Sequence, residues 1–199
     1  MNAASPSKGE LTRQAILEHA ARMATRVGLE GLTIGSLADE LELSKSGLFA
    51  HFNSKEALQL QVLEYGIARF VDTVIRPGLA APRGEKRVKA LFERWLEGPK
   101  SSGMAGCLFV ALATELDDQP GPVRERLVRS QKEWLELIAT AVRTGVTEGD
   151  FRRDPDAEQF AHELLGIMLA SHHAVRLLRA RGAAERTRRA FARLLDDAR

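Results

Sequence analysis

A single cysteine stands among the 199 residues, so no internal disulfide can form, and the chain reads as an intracellular, cytoplasmic protein. Aromatic residues make up only 6%, and Val and Ile together supply 17 residues against 55 from Ala and Leu. Strand-favouring side chains are therefore scarce and helix-favouring ones abundant, which argues against an all-β fold. The longest run without a charged residue, Ser101 to Thr114, is 14 residues. A membrane-spanning helix needs ~20, so no membrane span is expected. The opening residues MNAASPSKGE hold no apolar core and do not read as a secretory leader. Neither sign of charge dominates, with 29 Lys and Arg against 27 Asp and Glu. Internal repeats and low-complexity tracts are absent as well. What remains is ordinary globular composition, 44% apolar and 28% charged, in an all-α chain.

The helices can be placed from their caps. Ser7 and Glu10 form a capping box, apolar residues recur from Leu11 to Val27, and Gly28 ends the first helix. Thr33 caps a short helix over Ile34–Leu41, Ser44 caps a third to about His51, and Ser54 opens a longer one. That fourth helix carries Leu58, Val62, Ile67, Val71 and Ile75, and Pro77-Gly78 is expected to end it. An amphipathic segment follows with Val88, Leu91, Phe92, Trp95 and Leu96. Residues 98–103 read as a loop and Met104 to Leu116 as an apolar helix. Pro122 suits the first position of a long helix to about Glu148. Asp154-Pro155 is read as the cap and first residue of a helix to about Arg181, and the last helix covers Ala184 to Ala198.

From Leu164 to Val175 there is no Lys, Arg, Asp or Glu. A helix apolar around most of its circumference must bury two sides. One side suits the subunit core and the other a second copy of the chain. The expected homodimer interface is Ala161, Leu165, Leu169 and His172 on this helix with Phe191, Leu194 and Leu195 on the last; a larger monomeric core is the plainer alternative.

Helices two and three have the spacing of a helix-turn-helix, which lays its later helix in the DNA major groove. The reader is Ser44-Lys45-Ser46-Gly47-Leu48-Phe49-Ala50-His51. Lys45 suits a phosphate or a guanine edge, Ser46 is a small hydrogen-bonding group, Gly47 allows close backbone approach, and His51 reaches a phosphate. Leu48 and Phe52 point back to anchor the helix. Thr33 and Lys55 open flanking helices, whose N-termini attract phosphates. Residues 1–60 carry six basic and seven acidic side chains, so phosphate contact rests on amides, hydroxyls and few cations.

The stretch from about Glu10 to Leu63 resembles the DNA-binding domain of the TetR/AcrR family of transcriptional regulators. The resemblance is carried by Leu37-Ala38-Asp39-Glu40-Leu41, Lys45-Ser46-Gly47, His51-Phe52 and Ser54-Lys55-Glu56 at this spacing. It implies a DNA-binding domain over 1–55 and a helical effector-binding and dimerisation domain over 56–199. It also implies a pseudo-palindromic double-stranded operator, a small-molecule effector and repression. Two positions depart from the family pattern: Glu42 stands where glycine is usual, and Phe49 where tyrosine is common. Phe49 keeps the stacking surface without the hydroxyl. Candidates for the effector cavity are Phe92, Trp95, Cys107, Phe109, Trp134 and Met168, for which plain core packing is the simpler reading.

Other chemistry finds little support. Cys107 has no cation near it in sequence and reads as an inert thiol. His162 and His173 lie ~16 Å apart along a helix and cannot ligate one ion together. No cofactor and no metal is expected. Phosphate-loop, G-x-S-x-G and H-E-x-x-H patterns are missing, so the chain does not read as an enzyme. The rival function is a helical small-molecule carrier or enzyme that keeps the scaffold without specific DNA binding.

Overall fold

The computed structural model describes residues 8–101 and 107–199. Among these residues there are helices and turns and no strand. Ser7 and the segment Met104 to Gly106 lie outside the described residues, and with them the first expected cap and the start of the expected apolar helix. In chain order the helices are α1 (Lys8–Val27), α2 (Ile34–Leu41), α3 (Lys45–Phe52), α4 (Lys55–Phe70), a π-helical turn (Val71–Ile75), α5 (Arg76–Leu79), α6 (Glu85–Ser101), α7 (Leu108–Glu115), α8 (Pro122–Thr147), α9 (Ala157–Arg176) and α10 (Ala183–Ala198).

The chain forms two compact units. One contains α1–α3, most of α4, α7 and the start of α8, around Ile16, Ala20, Leu32, Leu37, Leu48, Phe52, Leu63 and Leu112. The other contains α5, α6, α9, α10 and most of α8, around Phe92, Ile138, Val142, Phe160, Leu164 and Leu195. The first of these units is assembled from two separate stretches of the described sequence, 8–68 and 107–127.

Four expected boundaries need correction. Pro77-Gly78 does not end the fourth helix. Proline has no N–H to continue the ladder. The chain absorbs this by a π turn just before it, in which the Arg76 N–H reaches Val71, and then runs on to Leu79. Gly78 is required by packing, because a Cβ there would lie 2.4 Å from the Leu91 side chain. Residues 98–101 are helical rather than loop, as α6 continues through Gly98 to Ser101. The helix runs through Gly98 despite that residue's low helix propensity. The cap of α9 is Asp156 and not Asp154, its carboxylate accepting the Gln159 N–H at 2.8 Å. α9 stops at Arg176, and the chain reverses through Arg179 in the left-handed region at φ 47°.

Candidate nucleic-acid interface

Local side chains set α2 and α3. The Thr33 hydroxyl accepts the Ser36 N–H at 3.0 Å, and the Ser36 hydroxyl accepts the Thr33 N–H at 3.0 Å, which closes a capping box on α2. Glu42 ends α2 in the left-handed region, φ 54° and ψ 36°, and the Leu43 N–H returns to the Ala38 carbonyl at 3.0 Å. Ser44 then caps α3 by accepting the Gly47 N–H at 3.1 Å. Ser54 does the same for α4 through the Ala57 N–H at 3.0 Å. Three hydroxyls thereby satisfy helix-terminal donors that would otherwise need solvent.

The result is a helix with a sharp division of faces. Leu48 and Phe52 are fully buried, while Lys45, Ser46, Gly47 and Phe49 are exposed, Phe49 to 55%. Nothing but the Ser44 hydroxyl lies close to where a Gly47 side chain would be, so its backbone is open to a large partner. Lys45 runs beside Gly35 at the start of α2. His51 is half-buried and Thr33 exposed. Lys55, the first residue of α4, is paired with Glu30 at 2.8 Å, and that lysine holds the Glu30 carboxyl below the ordinary carboxylate range. Arg26 and then His19 do the same for Glu40. The eight expected DNA-facing residues belong to a single compact unit, with Thr33, Ser44 and Lys55 at the starts of α2, α3 and α4 and Lys45, Ser46, Gly47, Phe49 and His51 on α3.

Two features of this head had no signal in sequence spacing. Glu30 is the partner of Lys55, and Glu115, 86 residues beyond Leu29, accepts its N–H at 2.8 Å.

The other expected sites need more correction. Ala161, Phe191, Leu194 and Leu195 are buried in the chain's own core, where Phe191 stacks on Phe92 at 3.8 Å between ring centres. The stripe read as facing a partner is the inward face of α10, because Phe191 and Leu195 satisfy the core that α6 and α9 leave open. Leu165 and His172 are half-buried and Leu169 is 42% exposed. A groove of about 610 Å³ runs between α9 and α10, lined by Gly166, Ala170, Arg186, Ala190 and Arg193 among others. The six pocket candidates are divided between the two units. Phe92, Trp95, Trp134 and Met168 are in the core of the unit holding α9 and α10, whereas Cys107 and Phe109 belong to the unit holding α1–α3. None of the six lines the groove. Among the described residues no cluster of three or more His, Cys, Asp or Glu is placed to hold a metal, and no helix is long and apolar enough to cross a membrane.

Comparison with known proteins matches residues 16–62 to the family described as "Bacterial regulatory proteins, tetR family" and residues 84–191 to "Tetracyclin repressor-like, C-terminal domain". The chain belongs to the TetR family. The chain is a DNA-binding transcriptional regulator. The HTH-type transcriptional repressor DhaR of Mycobacterium sp. (strain GP1) is 25% identical over 145 residues, 71% of each chain. The HTH-type transcriptional repressor AcnR of Corynebacterium efficiens is 37% identical over 79 residues, 40% of this chain and 42% of that one. Among solved structures, a TetR transcriptional regulator from Chloroflexus aurantiacus superposes with a TM-score of 0.84 at 26% identity, covering 95% of this chain and 94% of that one.

Proposed function

We propose that the protein is a cytoplasmic homodimeric repressor, each copy laying α3 in the major groove of one half of a pseudo-palindromic operator. Lys45 meets a guanine edge or a phosphate, Ser46 and Gly47 bring the backbone close to the bases, and Phe49 packs against the DNA without donating a hydroxyl. Thr33, Ser44, His51 and Lys55 hold the flanking phosphates. The observation that carries the reading is the division of α3, with Leu48 and Phe52 buried and Lys45, Ser46, Gly47 and Phe49 exposed on a capped helix. Reading is the task of residues 1–55, and residues 56–68 and 107–127 pack with them as support. Residues 56–199 otherwise serve dimerisation and effector binding. The exposed side of α9 and α10, with Leu165, Leu169, His172 and the groove beside Ala170 and Ala190, is the surface for the second copy. A small molecule bound among the helices of the 69–101 and 128–199 unit lowers DNA affinity, and by linkage DNA lowers the affinity for that molecule by the same factor. No catalysis is assigned to the chain.

Selection of duplexes from a randomised library by the purified protein, followed by footprinting, tests the reading. The expected product is a pseudo-palindrome whose two half-sites lie on one face of the duplex, about one or more helical turns apart. Salt-insensitive or sequence-independent retention would sink it.

A further inference from the structure

The turn joining α1 to α2 is gripped from two other helices. Glu115, the last residue of α7, accepts the Leu29 N–H at 2.8 Å with one carboxylate oxygen and the Glu30 N–H at 2.5 Å with the other. Gly28 makes this approach possible, since a Cβ on it would lie 2.7 Å from the carboxylate and its φ is 75°. From α4 the buried Gln59 donates its amide to the Leu29 carbonyl at 2.7 Å. Both peptide groups of Leu29 are therefore fixed by charged or buried partners. Glu30 projects from this fixed backbone and meets Lys55 at 2.8 Å, with the Gln59 amide at 3.5 Å from its other oxygen. The cation at the start of α4, where the helix N-terminus already favours an anion, is thus occupied by a carboxylate of the same unit.

We propose that Glu115, the turn and Glu30 form a brake on DNA affinity, holding Lys55 in an internal ion pair that an operator phosphate must displace. The inference rests on the reading of Lys55 as a phosphate contact. Glu115 is a positioning residue here: it touches no DNA and acts by fixing where Glu30 stands. Exposed ion pairs are weak, so the brake is mild. Removing Glu30's charge should raise affinity about two- to five-fold at low salt. The gain should shrink as salt rises.

The test titrates one duplex, selected by the wild-type protein from a randomised library, with wild type, Glu30→Gln, Glu115→Gln and the double variant. Glu30→Gln is expected to bind about two to five times more tightly than wild type. In the Glu115→Gln background the same change should give no gain, because Glu30 is no longer held against Lys55. A gain of equal size in both backgrounds means that Glu30 acts only as a charge near DNA, and overturns the relay. A Glu30→Gln variant no tighter than wild type overturns the brake outright. Circular dichroism checks that Glu115→Gln folds. Glu115→Asp, too short to reach both N–H groups, replaces it where folding fails. A wild-type protein that selects no duplex defeats the reading of Lys55 itself. A duplex bound equally by wild type and Glu30→Gln defeats the brake alone.

Discussion

α2 and α3 are eight residues each, and their ends are settled by the residues next to them: Thr33 with Ser36, Glu42 with Ala38 and Asp39, Ser44 with Gly47. α10 is settled at a distance. Phe191 stacks on Phe92, Arg188 pairs with Glu93 across 95 residues, and the Arg152 N–H takes the Ala198 carbonyl at the end of α10. The difference bears on function. Short helices held by their own caps need few side chains for the core, here Leu37, Ala38, Leu48 and Phe52, and leave the rest of α3 free to meet a ligand. α10, held by distant partners, places most of its apolar side chains in the core.

Four substitutions press on that contrast. Phe92→Ala removes a fully buried ring stacked on Phe191 and should cost about 3–5 kcal/mol by chemical denaturation. Ser44→Ala removes only a cap and should cost about 1 kcal/mol. Equal costs for the two would erase the distinction between local and distant specification.

Glu85 sharpens the distant side through pH. Arg199, hydrogen-bonded to both of its oxygens at 3.0 and 2.6 Å, and then Lys89, hold its carboxyl down to about 2 from an ordinary 4.5. The folded value lies below the unfolded one, so the stabilisation is complete above pH 4.5 and is lost as pH falls toward about 2. Glu85→Gln should therefore flatten the acid limb of the stability curve in that window and leave its shape near neutrality unchanged. An acid limb as steep as wild type's would show that the pair to Arg199 does not persist in solution.

The smallest effect belongs to the turn of the head. Glu42 sits at φ 54°, where an L side chain is strained and glycine is not. Glu42→Gly should stabilise the fold by up to about 1 kcal/mol, less what the freer unfolded chain takes back. A less stable variant would mean that the Glu42 side chain contributes more than its backbone costs.

The same contrast explains what could be read from the residues alone. Thr33, Ser44 and Ser54 were legible because a cap acts over three residues and its hydroxyl has one task. Leu48 and Phe52 were legible from their spacing of four. The π turn before Pro77, the helical Gly98 and the reversal at Arg179 were not, because each has a backbone geometry that the local residue types disfavour. Phe191, Leu194 and Leu195 showed which face of α10 is apolar but not what covers it. Periodicity gives a face without naming its partner, and here the partner is the chain itself. Glu115 beside Leu29 carried no signal at all, since no pattern links residues 86 apart.

The central claim is that the exposed face of α3 meets DNA, and Lys45 is its most direct probe. Association with the selected duplex should be measured for wild type and Lys45→Ala across a salt series, with circular dichroism to confirm that the exposed substitution leaves the fold intact. Loss of a phosphate contact should weaken binding and flatten the plot of log affinity against log salt by about 1. A lysine that instead reads a guanine edge should leave a variant weaker by about 1–3 kcal/mol, with relaxed preference at one base position. Lines that coincide in height and slope, with base preference unchanged, would contradict the account.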